Sequence, residues 1–188
     1  MTTVTNVSAG KPKVGGAIFA APVGTPLPVS ATEELNEAFE SLGYCSDDGL
    51  TNSTSLETEK IKAWGGDTVL IINKSKDDTF KWKLIEAKSK QVLAYVYGDD
   101  NVSGTLETGL KVKVNSTDVP ERSIVIDMIL RGDTLKRIVI PSCKISEVGD
   151  ITYGDDNAIG YETTVDCTPD ANGDTHIEYL QKIGSPSA

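Results

Sequence analysis

From Leu56 the period of the chain changes to two, and glycine-containing turns cut the pattern into segments. That periodicity commits most of the chain to β-strands, because only an extended backbone puts residues i and i+2 on the same face. Glu57, Glu59 and Ile61 alternate with Thr58, Lys60 and Lys62 until Trp64-Gly65-Gly66 ends the run. Thr68 to Asn73 is rich in β-branched residues, and Phe80, Trp82 and Leu84 share a face opposite Lys81 and Lys83. Leu110–Val114, Ser123–Leu130, Leu135–Cys143 and Ile159–Cys167 continue the strand pattern, and Arg131-Gly132-Asp133-Thr134 makes a hairpin turn between two of them.

Before Leu56 the signals differ. Residues 1–14 carry no periodicity and read as an arm that orders only on contact. Gly15 to Pro22 is a short apolar strand followed by a loop with Pro26 and Pro28. Ser30-x-x-Glu33 resembles a capping box, and Leu35, Ala38, Phe39 and Leu42 fall on one helical face that Gly43 ends. Residues 44–55 are polar and turn-rich, as in a long loop. A second short helix is expected over 89–97, capped by Ser89 and closed by Gly98. The expected class is therefore mainly β (α+β), a β-sandwich or open barrel of seven to nine strands with a flanking short helix. The expected division is an arm at 1–14, one domain at 15–182 and a short tail at 183–188.

Charge narrows the function. The net charge is −10, which disfavours a groove-reading DNA binder. The acidity is regional: between Lys144 and Lys182 there is no Lys or Arg but there are nine acids. Conversely, eight lysines fall between residues 60 and 90 as i, i+2 pairs, which project together from strands. Lys-rich strands of one subunit meeting an acidic region of the next would fix partner and register in an oligomer.

The catalytic signals are thin. Cys45, Cys143 and Cys167 lack metal-site spacing or a basic setting. Tyr97-Gly-Asp-Asp-Asn101 recurs as Tyr153-Gly-Asp-Asp-Asn157, but both copies read as Gly-Asp turns rather than metal-binding carboxylates. His176 is the sole histidine and reads as a solvated loop residue; a hydrolase centred on it is a minor alternative. No cofactor, metal or catalytic residue is expected. The apolar runs are too short for a membrane span and the N-terminus lacks a signal-peptide pattern, so a soluble protein made in the cytoplasm, with no membrane partner, is expected. A second alternative is a carbohydrate-binding β-sandwich using Trp64 or Trp82.

A set of short segments, in order, carries a resemblance over about residues 12–182. They are Gly15-Gly-Ala-Ile-Phe-Ala-Ala-Pro22, Leu35-Asn-Glu-Ala-Phe-Glu-Ser-Leu-Gly-Tyr44 with Ser46-Asp-Asp-Gly49, and Ala63-Trp64-Gly65-Gly66. Asp78-Thr-Phe-Lys-Trp-Lys-Leu-Ile-Glu86, Lys144-Ile-Ser-Glu-Val-Gly-Asp150 and Ala158-Ile-Gly-Tyr-Glu162 complete it. The sequence resembles the major tail (tail tube) proteins of long-tailed bacteriophages, especially those of actinobacterial hosts. The resemblance implies a β-sandwich subunit whose inner strands join in a hexameric ring. It implies stacked rings, a lumen holding a tape-measure protein during assembly, tail terminator and distal tail partners, and double-stranded DNA passing without specific binding. Acids on or beside predicted strands are the expected lining: Glu57, Glu59, Glu147, Asp150, Glu162 and Asp166. Contacts between rings are expected at Val4, Val7, Lys11, Lys13, Tyr44, Asp47 and Asp48, in the arm and the 43–55 loop, with the 182–188 tail as a third bridging segment.

Overall fold

A computed structural model describes residues 3–13 and 16–183. The strands are β1 (Lys11–Pro12), β2 (Ile18–Pro22), β3 (Glu40–Ser41), β4 (Cys45–Lys62), β5 (Thr68–Leu84), β6 (Val102–Ser103), β7 (Lys111–Val112), β8 (Arg122–Leu130), β9 (Thr134–Val148), β10 (Tyr161–Thr168) and β11 (Ile177–Lys182). Among the described residues one α-helix, α1 (Lys90–Tyr97), lies between β5 and β6. The fold is mainly β, as the periodicity predicts. One open antiparallel sheet runs β3-β2-β8-β9-β10-β5-β4, with β1 added on β8 and β11 on β9; β6 and β7 form a separate pair.

Alternation splits the sheet into two faces. On one, Phe80, Trp82, Leu84, Ile124, Ile126, Ile138, Ile140, Tyr161 and Val165 are buried under Val92, Leu93, Tyr95 and Val96 of α1. Ser89 caps that helix by accepting from the Val92 amide, and Gly98, at φ 93°, ends it. On the opposite face, Ala21, Val125 and Val139 lie under Phe39, with Leu27, Leu35 and Tyr179 packed around them. The turn at Arg131–Asp133 closes the β8–β9 hairpin with Leu130 opposite Thr134. Asp133 there takes a left-handed φ of 52°.

Four expectations need correction. The helix over 35–42 does not form, although the contacts that suggested it do: Ser30 Oγ accepts from the Glu33 amide, and the Glu33 carboxylate accepts from the Val29 amide. The carbonyls of Ser30 and Glu33, which a helix would need as acceptors, instead bind the guanidinium of Arg137 at 3.0 and 2.7 Å. Asn36 adds a competing local turn by accepting from Ala38. The segment thus becomes an irregular cover over β8 and β9. Second, residues 45–55 are not a loop but the first half of β4, because β5 continues far enough to pair with them. Third, Ser8, Lys11 and Pro12 of the arm already pack on their own subunit. Lys11 and Pro12 pair with Ile129 and Met128, and the Arg131 amide donates to Ser8 Oγ at 2.6 Å. Fourth, His176 is not a solvated loop residue, as described below. Among the described residues, no helix is long and apolar enough to cross a membrane. The expected Gly15 start of β2, Met1, Thr2 and Val14 of the arm, and residues 184–188 of the tail lie outside the described residues.

Candidate functional site

The half of the sheet left uncovered is its most distinctive surface. Register carries the solvent-facing alternation across β9, β10, β5 and β4: Glu147 sits opposite Thr164, Thr164 opposite Lys81, and Lys81 opposite Thr51. Glu162 stands opposite Lys83, and Asp166 stands between Lys144 and Thr79. Farther along β4, Glu57 and Glu59 share this face with Asp77 of β5. Five of the six expected lining acids thus share one polar face: Glu147, Glu162 and Asp166 have the core behind them, and Glu57 and Glu59 carry the face onto the exposed end of the hairpin. Asp150 is the exception; it follows β9 in an exposed connection.

The face is mixed rather than purely acidic. Lys81 pairs with Glu162 at 2.7 Å, Lys74 with Glu59 at 3.0 Å and Lys144 with Asp118 at 3.2 Å. Ser146 donates to Asp166 at 2.9 Å, tying β9 to β10 where a bulge interrupts their ladder.

The β4–β5 hairpin leaves this sheet as a two-stranded arm. From Thr51 to Lys76 nearly every side chain is exposed, including Leu56, Val69, Leu70, Ile71 and Ile72. Bulges at Glu57/Thr58 and Ile61/Lys62 twist it. Its turn is closed by Ala63 and Asp67, and Trp64 at the tip is fully exposed. An isolated two-stranded ribbon is at best marginally stable in water, so these apolar residues call for a partner surface. Trp82, by contrast, is 1% exposed, which removes it from the glycan-stacking alternative.

At the hairpin root, Asp78 of β5 is buried and surrounded by donors. Asn52 Nδ2 reaches it at 2.7 Å, Thr175 Oγ1 at 2.8 Å and His176 Nδ1 at 2.5 Å. The His176 ring also meets Phe80 edge-on. Burial pushes the Asp78 carboxyl up, but the bonds from Asn52, Thr175 and His176 outweigh it and hold the group below the usual carboxylate range. The cluster locks the 169–176 connection onto the base of the arm. Among the described residues lining the pocket beside His176 there is no serine, and burial raises the Cys167 thiol there to about 12.

Of the expected contact residues between rings, Val4, Val7 and Tyr44 are exposed. Asp47 and Asp48 lie on a stretch that slips out of register between Cys45 and Leu50. Lys11 is in β1, and Lys13 reaches Asp127 at 3.6 Å.

Comparison with protein families matches residues 11–185 to the family described as phage tail tube protein. The chain belongs to the phage tail tube protein family. It is a structural protein of the bacteriophage tail. None of the curated proteins matches it.

One group in this tail tube protein went unmarked in the sequence. Arg137, 1% exposed, donates through Nε and Nη2 to both oxygens of Asp127 at 2.6 and 2.9 Å while Nη1 holds Ser30 and Glu33. That pair clamps the 22–42 cover to the sheet. A signal was present: once Leu130 is set opposite Thr134 by the Arg-Gly-Asp turn, Asp127 necessarily faces Arg137.

Proposed function

We propose that this tail tube protein polymerises as stacked hexameric rings into a hollow tube that conducts the genome, with the uncovered β9-β10-β5-β4 face turned to the lumen. The observation that carries it is that bare polar half-face, which ends in the unpaired outer edge of β4. An open edge seeks another strand, and a neighbouring subunit supplies one in a closed ring. The ring then has inner strands joined as a barrel, with no edge left free.

The lining acids would be Glu57, Glu59, Glu147, Glu162 and Asp166, joined by Asp77, with Asp150 at the rim. Their excess over Lys74, Lys81, Lys83 and Lys144 gives a repulsive field, repeated around each ring. Cargo DNA slides along such a wall, because each unpaired cation would instead release counterions and hold a phosphate. Three of these lysines are tethered by acids, Lys81 by Glu162, Lys74 by Glu59 and Lys144 by Asp118, which keeps those three from that role. Before the genome, the same lumen holds a tape-measure protein, and the tube ends meet terminator and distal tail proteins. Val4, Val7, Lys11, Lys13, Tyr44, Asp47 and Asp48 are proposed to meet adjacent rings. The chain is proposed to comprise an arm at 1–14, a domain at 15–182 and a tail at 183–188, none of them catalytic.

Negative-stain microscopy of concentrated protein tests this. Hollow filaments support it. Persistent monomers with glycan affinity centred on exposed Trp64 would support a carbohydrate-binding module instead.

A further inference from the structure

Two surfaces of the subunit are each incomplete, and they complement one another. The first is the hairpin tip. Trp64 is fully exposed there, and Lys60 and Lys62 flank it on the last turns of β4 without an ion-pair partner among the described residues. The second is a groove of about 790 Å³ where β1, Gly16–Ala17 and the start of β4 meet. Its floor is apolar, built from Pro12, Ala17, Leu50 and Met128. Asp47 and Asp48 line it on the out-of-register stretch of β4, also without a cationic partner among the described residues, whereas Lys13, its one lysine, is occupied by Asp127.

We propose that the hairpin tip of one subunit seats Trp64 in this groove on a second copy of the chain, with Lys60 and Lys62 against Asp47 and Asp48. The inference rests on the tube-forming function proposed above and names the surfaces that meet. Reach permits it. The dozen residues from Thr51 to Lys62 extend about 40 Å at ~3.3 Å each, against a radius of gyration of about 16 Å for a domain of this length. The tip therefore extends well beyond its own subunit. A tryptophan entering an apolar pocket bordered by charges of opposite sign has the make-up of an interface hot spot. The lysine–aspartate contacts fix which groove is chosen and in what orientation.

The test uses full-length protein, with assembly followed by sedimentation and by tryptophan emission. Trp82 is buried in the monomer, so an emission blue shift on assembly reports Trp64. Trp64→Ala should raise the concentration needed for assembly by at least about thirtyfold, the effect of losing one hot-spot residue, while near-ultraviolet circular dichroism of the core is kept. Lys60→Glu/Lys62→Glu should weaken assembly, and adding Asp47→Lys/Asp48→Lys in the same chain should restore it. Unimpaired tubes from Trp64→Ala, or no rescue by the reversed pair, overturn the docking while leaving the tube intact as a function. Emission already blue-shifted below the assembly concentration places the tip on its own subunit and also overturns it. Wild-type protein that forms no tubes at any concentration refutes the tube and the docking together.

Discussion

Replacing Arg137 with methionine isolates the clamp beneath the 22–42 cover. The change leaves the Asp127 carboxylate, 6% exposed, with only Lys13 at 3.6 Å, and it strips the Ser30 and Glu33 carbonyls of their charged donor. Breaking one side of a buried pair costs about 3–5 kcal/mol, against a total stability of about 5–15 kcal/mol for a domain. With a urea slope of about 2 kcal/mol per molar, the unfolding midpoint should fall by roughly 1.5–2.5 M. The assay is urea unfolding of the monomer, held below its assembly concentration and followed by far-ultraviolet circular dichroism. Arg137→Lys should recover little, since an ammonium cannot span both carboxylate oxygens and two carbonyls in one plane. Arg137→Met/Asp127→Leu should recover most of the loss, because removing both charges abolishes the unpaired one. A single-variant loss below about 1 kcal/mol, or a double variant whose loss equals the sum of the two singles, would refute the assignment of Arg137 and Asp127 as one coupled unit.

Two further predictions concern titration. Because the Asp78 carboxyl is held below its ordinary value in the folded state, it contributes stability above the unfolded pKa of about 4 and loses it as pH falls through the folded value. Asp78→Asn should therefore flatten the acid limb of stability below about pH 4, measured by urea midpoints, and should cost about 1–3 kcal/mol at neutral pH; an unchanged acid limb would count against it. Burial raises the Cys45 thiol to about 11 and Cys167 to about 12, and lifts Cys143 further still. Native protein at pH 8 should react slowly with a thiol reagent and release all three thiols on unfolding, whereas a fast native phase would show that a thiolate is accessible.

The parts legible in the sequence were those where local pattern and tertiary role agree. Phe80, Trp82 and Leu84 alternate because one face of β5 is buried, and Ser89 caps α1 as its position suggests. The first half of β4 was illegible because Thr51-Asn-Ser-Thr-Ser has no apolar face to betray a strand; pairing with β5 imposes the conformation. The false helix over 35–42 had correct spacing, but Arg137, about a hundred residues away in sequence, claims the Ser30 and Glu33 carbonyls that its first turn, capped at Ser30, would have used. The candidate lining acids were found by strand alternation, yet their gathering on one face depends on the order β9-β10-β5-β4, which no local signal encodes. The Asp78–His176 contact joins residues 98 positions apart and leaves no trace in either neighbourhood.

Along β5 and β10, core and solvent residues interleave one by one: Phe80, Trp82, Leu84 and Val165 inward, Lys81, Lys83, Glu162 and Asp166 outward. Exchanging every other codon of these strands therefore rewrites the outward surface and leaves the core untouched. Foldability and surface chemistry are thereby separated in heredity even though they share a single ribbon of backbone.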